Sequence, residues 1–322
     1  MGYGTMGLSI FYGPPKPDEE RLAILDEAHK TGNIFWDTAD IYADSELLLA
    51  KWFKKTGKRS DIFLATKFAN YMQDGKMLSR SDPAYVKECC AKSLERLGVE
   101  QIDLYYCHRV DKVTPIEDTV RAMKQLKADG KVKYLGLSEV SSATLRRACA
   151  VEHIDALQIE YSPFTMDIEN PAINLLSTCR ELGVAIIAYS PLSRGFLTGQ
   201  YKSHTDFPKG DIRSLMPRYS EENFPKNLKL VEQSKALAGK KGVTVGQLVL
   251  AWLMAQGEDV FPIPGTTNIG RLNENWGAMG MVISEEENAE VRRMVEAAEV
   301  HGERYPPGLG GNLFADTPPL KA

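Results

Sequence analysis

The 322-residue chain is 43% hydrophobic and 25% charged, with a formal net charge of -4. That balance supports a large buried core and excludes the compositions typical of disordered chains, and it offers no broad positive field for nucleic acid or an acidic membrane. No run of residues approaches the roughly 20 apolar positions of a membrane span.

Met1 to Ser9 lacks the basic start and long apolar run of a secretory leader, so a cytoplasmic location is expected. The five cysteines, Cys89, Cys90, Cys107, Cys149 and Cys179, form no C-x-x-C pair and fall within apparent helices or strands. Reduced thiols fit that placement.

From the amino end onward, short apolar runs alternate with longer amphipathic stretches. The runs predict eight strands: Tyr3 to Leu8, Ile34 to Asp37, Ile62 to Lys67, Ile102 to Cys107, Val132 to Leu137, Ala156 to Ile159, Ala185 to Ala188 and Val260 to Ile263. Helical spacing joins Val86, Cys90, Ser93 and Leu97, and again Ile116, Val120, Met123 and Leu126. Asp82-Pro83 and Ser141 have the chemistry of helix starts, and Gly98 and Gly130 that of helix stops. Ser193 to Lys226, rich in Gly, Pro, Ser and charge, reads as a long loop after the seventh strand and a candidate lid. Glu285 to Glu299 reads as an extra C-terminal helix, followed by a proline-rich tail from Gly302 to Ala322 that is expected to lie across the surface.

Short apolar strands, each followed by a helix, imply a parallel sheet covered on its outer face. The expected fold is α/β, a (β/α)8 TIM barrel forming a single domain over residues 1–322. A doubly wound open sheet is the alternative, but no G-x-G-x-x-G follows an early strand.

In such a barrel the reactive groups lie at the carboxyl ends of strands. Those ends carry Asp37, then Tyr42 in the next loop, Lys67, His108, Ser138-Glu139, Gln158 and Tyr189-Ser190. Taken singly, Asp37 reads equally as a loop cap and Lys67 as a solvated strand end, while His108 is more often a buried imidazole and Tyr42 more often packing. Gathered on one rim they can make a proton donor. A free tyrosine ionises near pH 10, a neighbouring ammonium lowers that value, and Asp37 would keep the Lys67 ammonium charged. His108 could then orient a substrate oxygen.

The segments Trp36-Asp37-Thr38-Ala39-Asp40-Ile41-Tyr42, Ala65-Thr66-Lys67 and His108-Arg109-Val110-Asp111 resemble the aldo-keto reductase superfamily over nearly the whole chain. The resemblance implies a β/α barrel that binds NADPH, with Asp37, Tyr42, Lys67 and His108 as the catalytic tetrad. It places Ser138, Glu139 and Gln158 on the nicotinamide carboxamide, Tyr189 against the ring, and Gly4, Thr5 and Met6 nearby. Many members carry asparagine where Glu139 stands, and a carboxylate accepts hydrogen bonds but donates none. Ser190, Pro191, Leu192, Arg194 and Gly195 match a pyrophosphate-contacting stretch. Ile263, Gly265, Thr266, Thr267, Arg271, Glu274 and Asn275 match an adenosine-phosphate site, where Arg271 would favour a 2'-phosphate. Some branches have lysine in place of Gly265, which leaves the preference for NADPH over NADH less strict. The short hairpin that commonly precedes the first strand is not seen, and the chain begins inside that strand.

The resemblance therefore implies reduction of a carbonyl by hydride transfer, with Tyr42 as general acid. An NADPH-binding sensor subunit, like the potassium-channel β subunits of the superfamily, is the alternative, and a metal-dependent hydrolase using Asp37 and His108 finds no H-x-H pair to support it. The expected partner is a small-molecule carbonyl compound, with no metal, nucleic acid or membrane, and a monomer is favoured. Phe11, Tyr12, Trp36, Phe68 and Tyr71 are candidates for an aromatic pocket wall. Gly7-Leu8-Ser9, the Leu-Ser-Glu segment at Leu137 and Asp316-Thr317-Pro318-Pro319-Leu320 resemble fungal and yeast members that reduce assorted aldehydes, pyridoxal included.

Overall fold

Side chains on a strand alternate between its two faces, and this parity decides what the barrel encloses. The computed structural model describes residues 1–306 and 312–320. Eight parallel strands form one sheet in the order β1 (Tyr3–Gly4), β2 (Phe35–Asp37), β3 (Phe63–Phe68), β6 (Ile102–Cys107), β7 (Val132–Ser138), β8 (Ala156–Glu160), β9 (Ala185–Tyr189) and β10 (Val260–Pro262). Gly2 N–H donates to the Pro262 carbonyl at 2.9 Å and Gly4 N–H to the Pro264 carbonyl at 3.4 Å, closing β10 onto β1. The eight-stranded β/α barrel expected from the alternation is thus the observed fold.

Helices cover the outside: α1 (Asp18–Lys30), α2 (Ser45–Thr56), α3 (Pro83–Leu97), α4 (Ile116–Ala128), α5 (Ser142–Val151), α6 (Leu175–Leu182), α7 (Phe224–Lys241), α8 (Val245–Met254), α9 (Ile269–Gly277) and α10 (Glu285–Glu296). The Asp82 carboxylate accepts from Tyr85 N–H at 3.2 Å and the Ser141 hydroxyl from Thr144 N–H at 3.0 Å, so both expected helix starts hold. Leu64, Phe68, Tyr105, Cys107, Leu135, Leu137, Leu157, Ile159 and Ile186 point outward into the core beneath the helices. Ala65, Leu104, Tyr106, Ala156, Ile187 and Ile263 fill the barrel interior. Continuing that inner set by two residues along β3, β6, β8 and β9 reaches Lys67, His108, Gln158 and Tyr189 at the carboxyl rim. The register of the barrel delivers the reactive groups to one end.

Four expectations need correction. The first strand does not run to Leu8: after Gly4 the chain turns into a short tight helix at Met6–Leu8, because Leu8 N–H bonds back to the Thr5 carbonyl. An antiparallel hairpin, β4 (Asn70–Gln73) with β5 (Lys76–Ser79), follows β3 where none was expected. Its turn places Asp74 and Gly75 at φ of 50° and 73°, the paired left-handed geometry of a two-residue hairpin loop. The segment from Ser193 is an ordered chain of tight turns packed through Phe196, Phe207, Tyr219 and Phe224, and α7 begins within it at Phe224. The last helix ends at Glu296, short of Glu299.

The tail returns across the carboxyl side of the barrel. Ala315 pairs with Val140, and the Arg147 guanidinium donates to the Thr317 and Pro318 carbonyls at 2.8 and 2.7 Å. Pro307, Gly308 and Ala322 of the expected tail lie outside the described residues. No helix among the described residues is long and apolar enough to cross a membrane.

Candidate active site

The Lys67 ammonium is fully buried and donates to Asp37 Oδ1 at 2.5 Å and to the Thr38 carbonyl at 2.6 Å. The nitrogen stands 5.1 Å from the Tyr42 ring centre. The His108 ring meets the Tyr42 ring edge-on at 5.7 Å. All four residues named from the strand ends therefore converge. The loop bearing Tyr42 is held by Tyr42 N–H to the Ala39 carbonyl at 3.1 Å and Asp40 N–H to the Lys67 carbonyl at 3.1 Å. Beneath it, Ser45 Oγ receives the Thr38 hydroxyl at 2.8 Å and lies 3.0 Å from Thr5 Oγ1.

The electrostatics correct one expectation. Burial pushes the Tyr42 phenol above its ordinary range, and this outweighs the downward pull of the Lys67 ammonium. The phenol is therefore protonated in the resting site rather than made acidic, with the Lys67 ammonium beside its ring. Burial, with Lys67 and Arg109 adding to it, drives the His108 imidazole well below its usual range, so the ring is neutral. Burial also raises the Asp37 carboxyl, against the opposing pull of Lys67.

Asp37, Tyr42 and His108 open into a cavity of about 770 Å3 that runs past Gln158 and Tyr189, along Ser190, Pro191, Leu192, Arg194 and Gly195, to Thr266, Thr267, Arg271, Glu274 and Asn275. Gly4, Met6, Ile263 and Gly265 line it as well. A Cβ on Gly265 would sit 2.6 Å from the Gly4 carbonyl oxygen, so the approach of this loop to β1 requires glycine there. The Asn268 side chain caps α9 by accepting from Arg271 N–H at 3.0 Å, which leaves the first turn of the helix and the Arg271 side chain beside each other.

Thr5, Lys67, Ser138 and Glu139 do not line the cavity; each is essentially fully buried. The Ser138 hydroxyl accepts from Arg109 Nη1 at 2.9 Å. Glu139, at φ 53°, turns its Oε1 behind the wall, where it accepts from the Tyr189 hydroxyl at 2.7 Å and meets Arg304 Nη1 at 3.4 Å. Gln158 faces the cavity but donates to Asp37 Oδ2 at 2.8 Å. Of the aromatic wall candidates, Phe11 and Tyr12 line the cavity. Trp36 and Phe68 are core residues because strand parity sends them outward, and Tyr71 packs on Tyr85 at 6.1 Å.

Sequence reading missed much of the wall. Asn70, Met77 and Ser79 arrive on the hairpin, whose signal was the Asp74-Gly75 pair between two short runs. Arg213 sits 4.4, 4.8 and 5.0 Å from the Tyr201, Phe207 and Tyr12 ring centres and ion-pairs with Asp211 at 2.6 Å. From the tail, Tyr305 lies 3.2 Å from the Tyr189 hydroxyl and accepts from Arg194 Nη2 at 3.0 Å. No short-range pattern announces that docking. Among the described residues, no group of three or more His, Cys, Asp or Glu side chains is arranged to hold a metal.

The arrangement suits an elongated dinucleotide. Its length joins a proton-donating end to a cationic end, Arg194 lies between them, and a helix start stands beside Arg271. The family model described as "Aldo/keto reductase family" matches residues 1–296. An aldo-keto reductase of Strobilurus tenacellus, str7, is 54% identical over 99% of this chain and 95% of its own length. The protein described as aldo-keto reductase yakc [NADP(+)] of Schizosaccharomyces pombe is 47% identical over the same shares. Among solved structures, the glycerol dehydrogenase of Gluconobacter oxydans superposes with a TM-score of 0.83 at 27% identity, covering 95% of this chain and 93% of that one.

Proposed function

Because the chain belongs to the aldo/keto reductase family, NADP-dependent oxidoreductases of carbonyl and alcohol groups, we propose that it reduces aldehydes and ketones with Tyr42 as general acid. Bound NADPH supplies the hydride. Tyr42 delivers the proton to the carbonyl oxygen, and the Lys67 ammonium stabilises the phenolate left behind. Asp37 holds Lys67 charged in a space closed to water, and neutral His108 directs the substrate oxygen toward the phenol. The adenosine phosphates fall to Arg271 with the α9 start, the pyrophosphate to the Ser190–Gly195 stretch with Arg194, and the carboxamide to Gln158.

The observation that carries this reading is the convergence of Asp37, Tyr42 and His108 on one cavity, with Lys67 buried against Asp37 and Tyr42 behind its wall. A sensor subunit would need only the binding groove, whereas here a stored proton and its stabilising cation stand at the groove's end. The test is a panel of aldehydes and ketones with NADPH, read by cofactor absorbance. Steady turnover supports the proposal; tight NADPH binding without turnover of any carbonyl would reject it.

A further inference from the structure

The cavity carries positive charge in three places: Arg271 at the adenosine end, Arg194 and Arg213 in the middle, and Arg109 beside His108. Phosphates account for the first, and Arg194 is also bonded to Tyr305. Arg213 has its own carboxylate, Asp211. Arg109 is left over. Strand parity places His108 inside the barrel, and Arg109, two residues beyond the strand, turns its guanidinium along the same wall.

Its Nη1 donates to the His108 carbonyl at 2.6 Å and to Ser138 Oγ at 2.9 Å, which fixes the plane of the group. Among the described residues no carboxylate pairs with it. Glu139, whose field it feels, is taken by Arg304 at 3.4 Å and by the Tyr189 hydroxyl at 2.7 Å. A guanidinium has five N–H donors in a rigid fork that matches a carboxylate. An oriented, unneutralised one in a cavity beside the proton donor is a ready anion site, while Ile41, Met77, Phe11 and Tyr12 on the lining of the same cavity give it an apolar body.

We propose that Arg109 binds a carboxylate on the carbonyl substrate, making oxo-carboxylates, compounds with an aldehyde or ketone and a free acid group, the preferred class. This rests on the reductase reading above and names the substrate that site selects. The reaction itself is unchanged: the carbonyl carbon gains hydride, its oxygen gains the Tyr42 proton, and the acid group is a spectator.

The test compares 4-formylbenzoate with its uncharged methyl ester, at saturating NADPH, for the full chain and for Arg109→Gln and Arg109→Lys. The native chain should favour the carboxylate by about tenfold or more in kcat/KM, since a site built to bond a group discriminates against analogues lacking it. Arg109→Gln should erase that preference through KM, with the ester's constants and the NADPH Kd little changed. Arg109→Lys should keep part of it, because the charge remains without the fork. Equal use of acid and ester by the native chain overturns the inference, even if the Gln variant fails to fold. So does a Gln variant that loses both substrates alike or binds NADPH more weakly, which would assign Arg109 to the cofactor or to scaffolding. Failure to reduce either compound while other neutral aldehydes turn over also overturns it; failure with every carbonyl would instead sink the reductase reading.

Discussion

Lys67 Nζ and Asp37 Oδ1 meet at 2.5 Å where neither side chain is more than 3% exposed, so the barrel holds an ion pair in its interior beneath the cavity wall. Removing one partner of such a pair strands the other charge. Lys67→Met should therefore destabilise the fold by about 3–5 kcal/mol, and adding Asp37→Asn should recover part of the loss. Denaturant unfolding of the single and double variants checks this; a Lys67→Met chain as stable as the native one would show that the pair is not sealed.

The reductive rate should be insensitive to pH through neutrality. Burial holds the Tyr42 phenol above its ordinary range, so its proton is lost only above about pH 10. His108, pushed well below its usual range, stays neutral as the pH falls toward about 6. A kcat that drops with an apparent pKa near neutrality would point to another donor.

Asp40 gives stability a pH dependence of its own. Burial, with Glu46 adding to it, raises this carboxyl from 3.8 to about 7, and its Oδ1 is buried without a partner. A raised carboxyl contributes stability while it is protonated, and that contribution is lost as pH climbs through the folded value. Asp40→Asn should therefore gain stability over the native chain progressively between about pH 4 and 7 and hold a constant advantage above. Unfolding measured across pH reads the difference; a gap that widens toward acid would reverse the sign.

Arg304 anchors the tail to the rim by meeting Glu139 at 3.4 Å and Glu160 at 3.6 Å. Arg304→Met should leave those carboxylates, among the described residues, with only Arg218, 3.9 Å from Glu160, as an ion-pairing cation. The tail should then be cut faster in limited proteolysis, and Tyr305 should lose its seat against Tyr189 and Arg194. Replacing Glu139 with Gln in the same chain should restore part of the protection. Unchanged cleavage would mean that the Arg147 contacts to Thr317 and Pro318 hold the tail alone.

The barrel was legible because each strand is an apolar run bounded by breakers, and the tetrad because strand ends are the one place where sequence position maps onto a rim. Side-chain direction was harder to read. Trp36 and Phe68 seemed as fit for a pocket wall as Phe11 until pairing fixed which strand face is inside. Ser138 and Glu139 stand at a strand end like His108, yet Arg109 and Arg304 draw them behind the wall, and those partners come from another loop and from the tail. The hairpin's turn signal was present at Asp74-Gly75, but its strands are mostly exposed and lack the apolar alternation that marks the others. The acidity of Tyr42 was misjudged because a sequence names the neighbouring charge but not the depth of burial, which dominates here.

The source of the proton is tested most directly by Tyr42→Phe. The phenyl ring preserves packing and removes only the hydroxyl. NADPH should bind with an unchanged Kd while steady-state reduction of a reactive aldehyde falls by about 100-fold to 10,000-fold, the usual worth of a positioned general acid. Turnover within a few-fold of the native rate, with the fold intact, would contradict the assignment of Tyr42 as the donor.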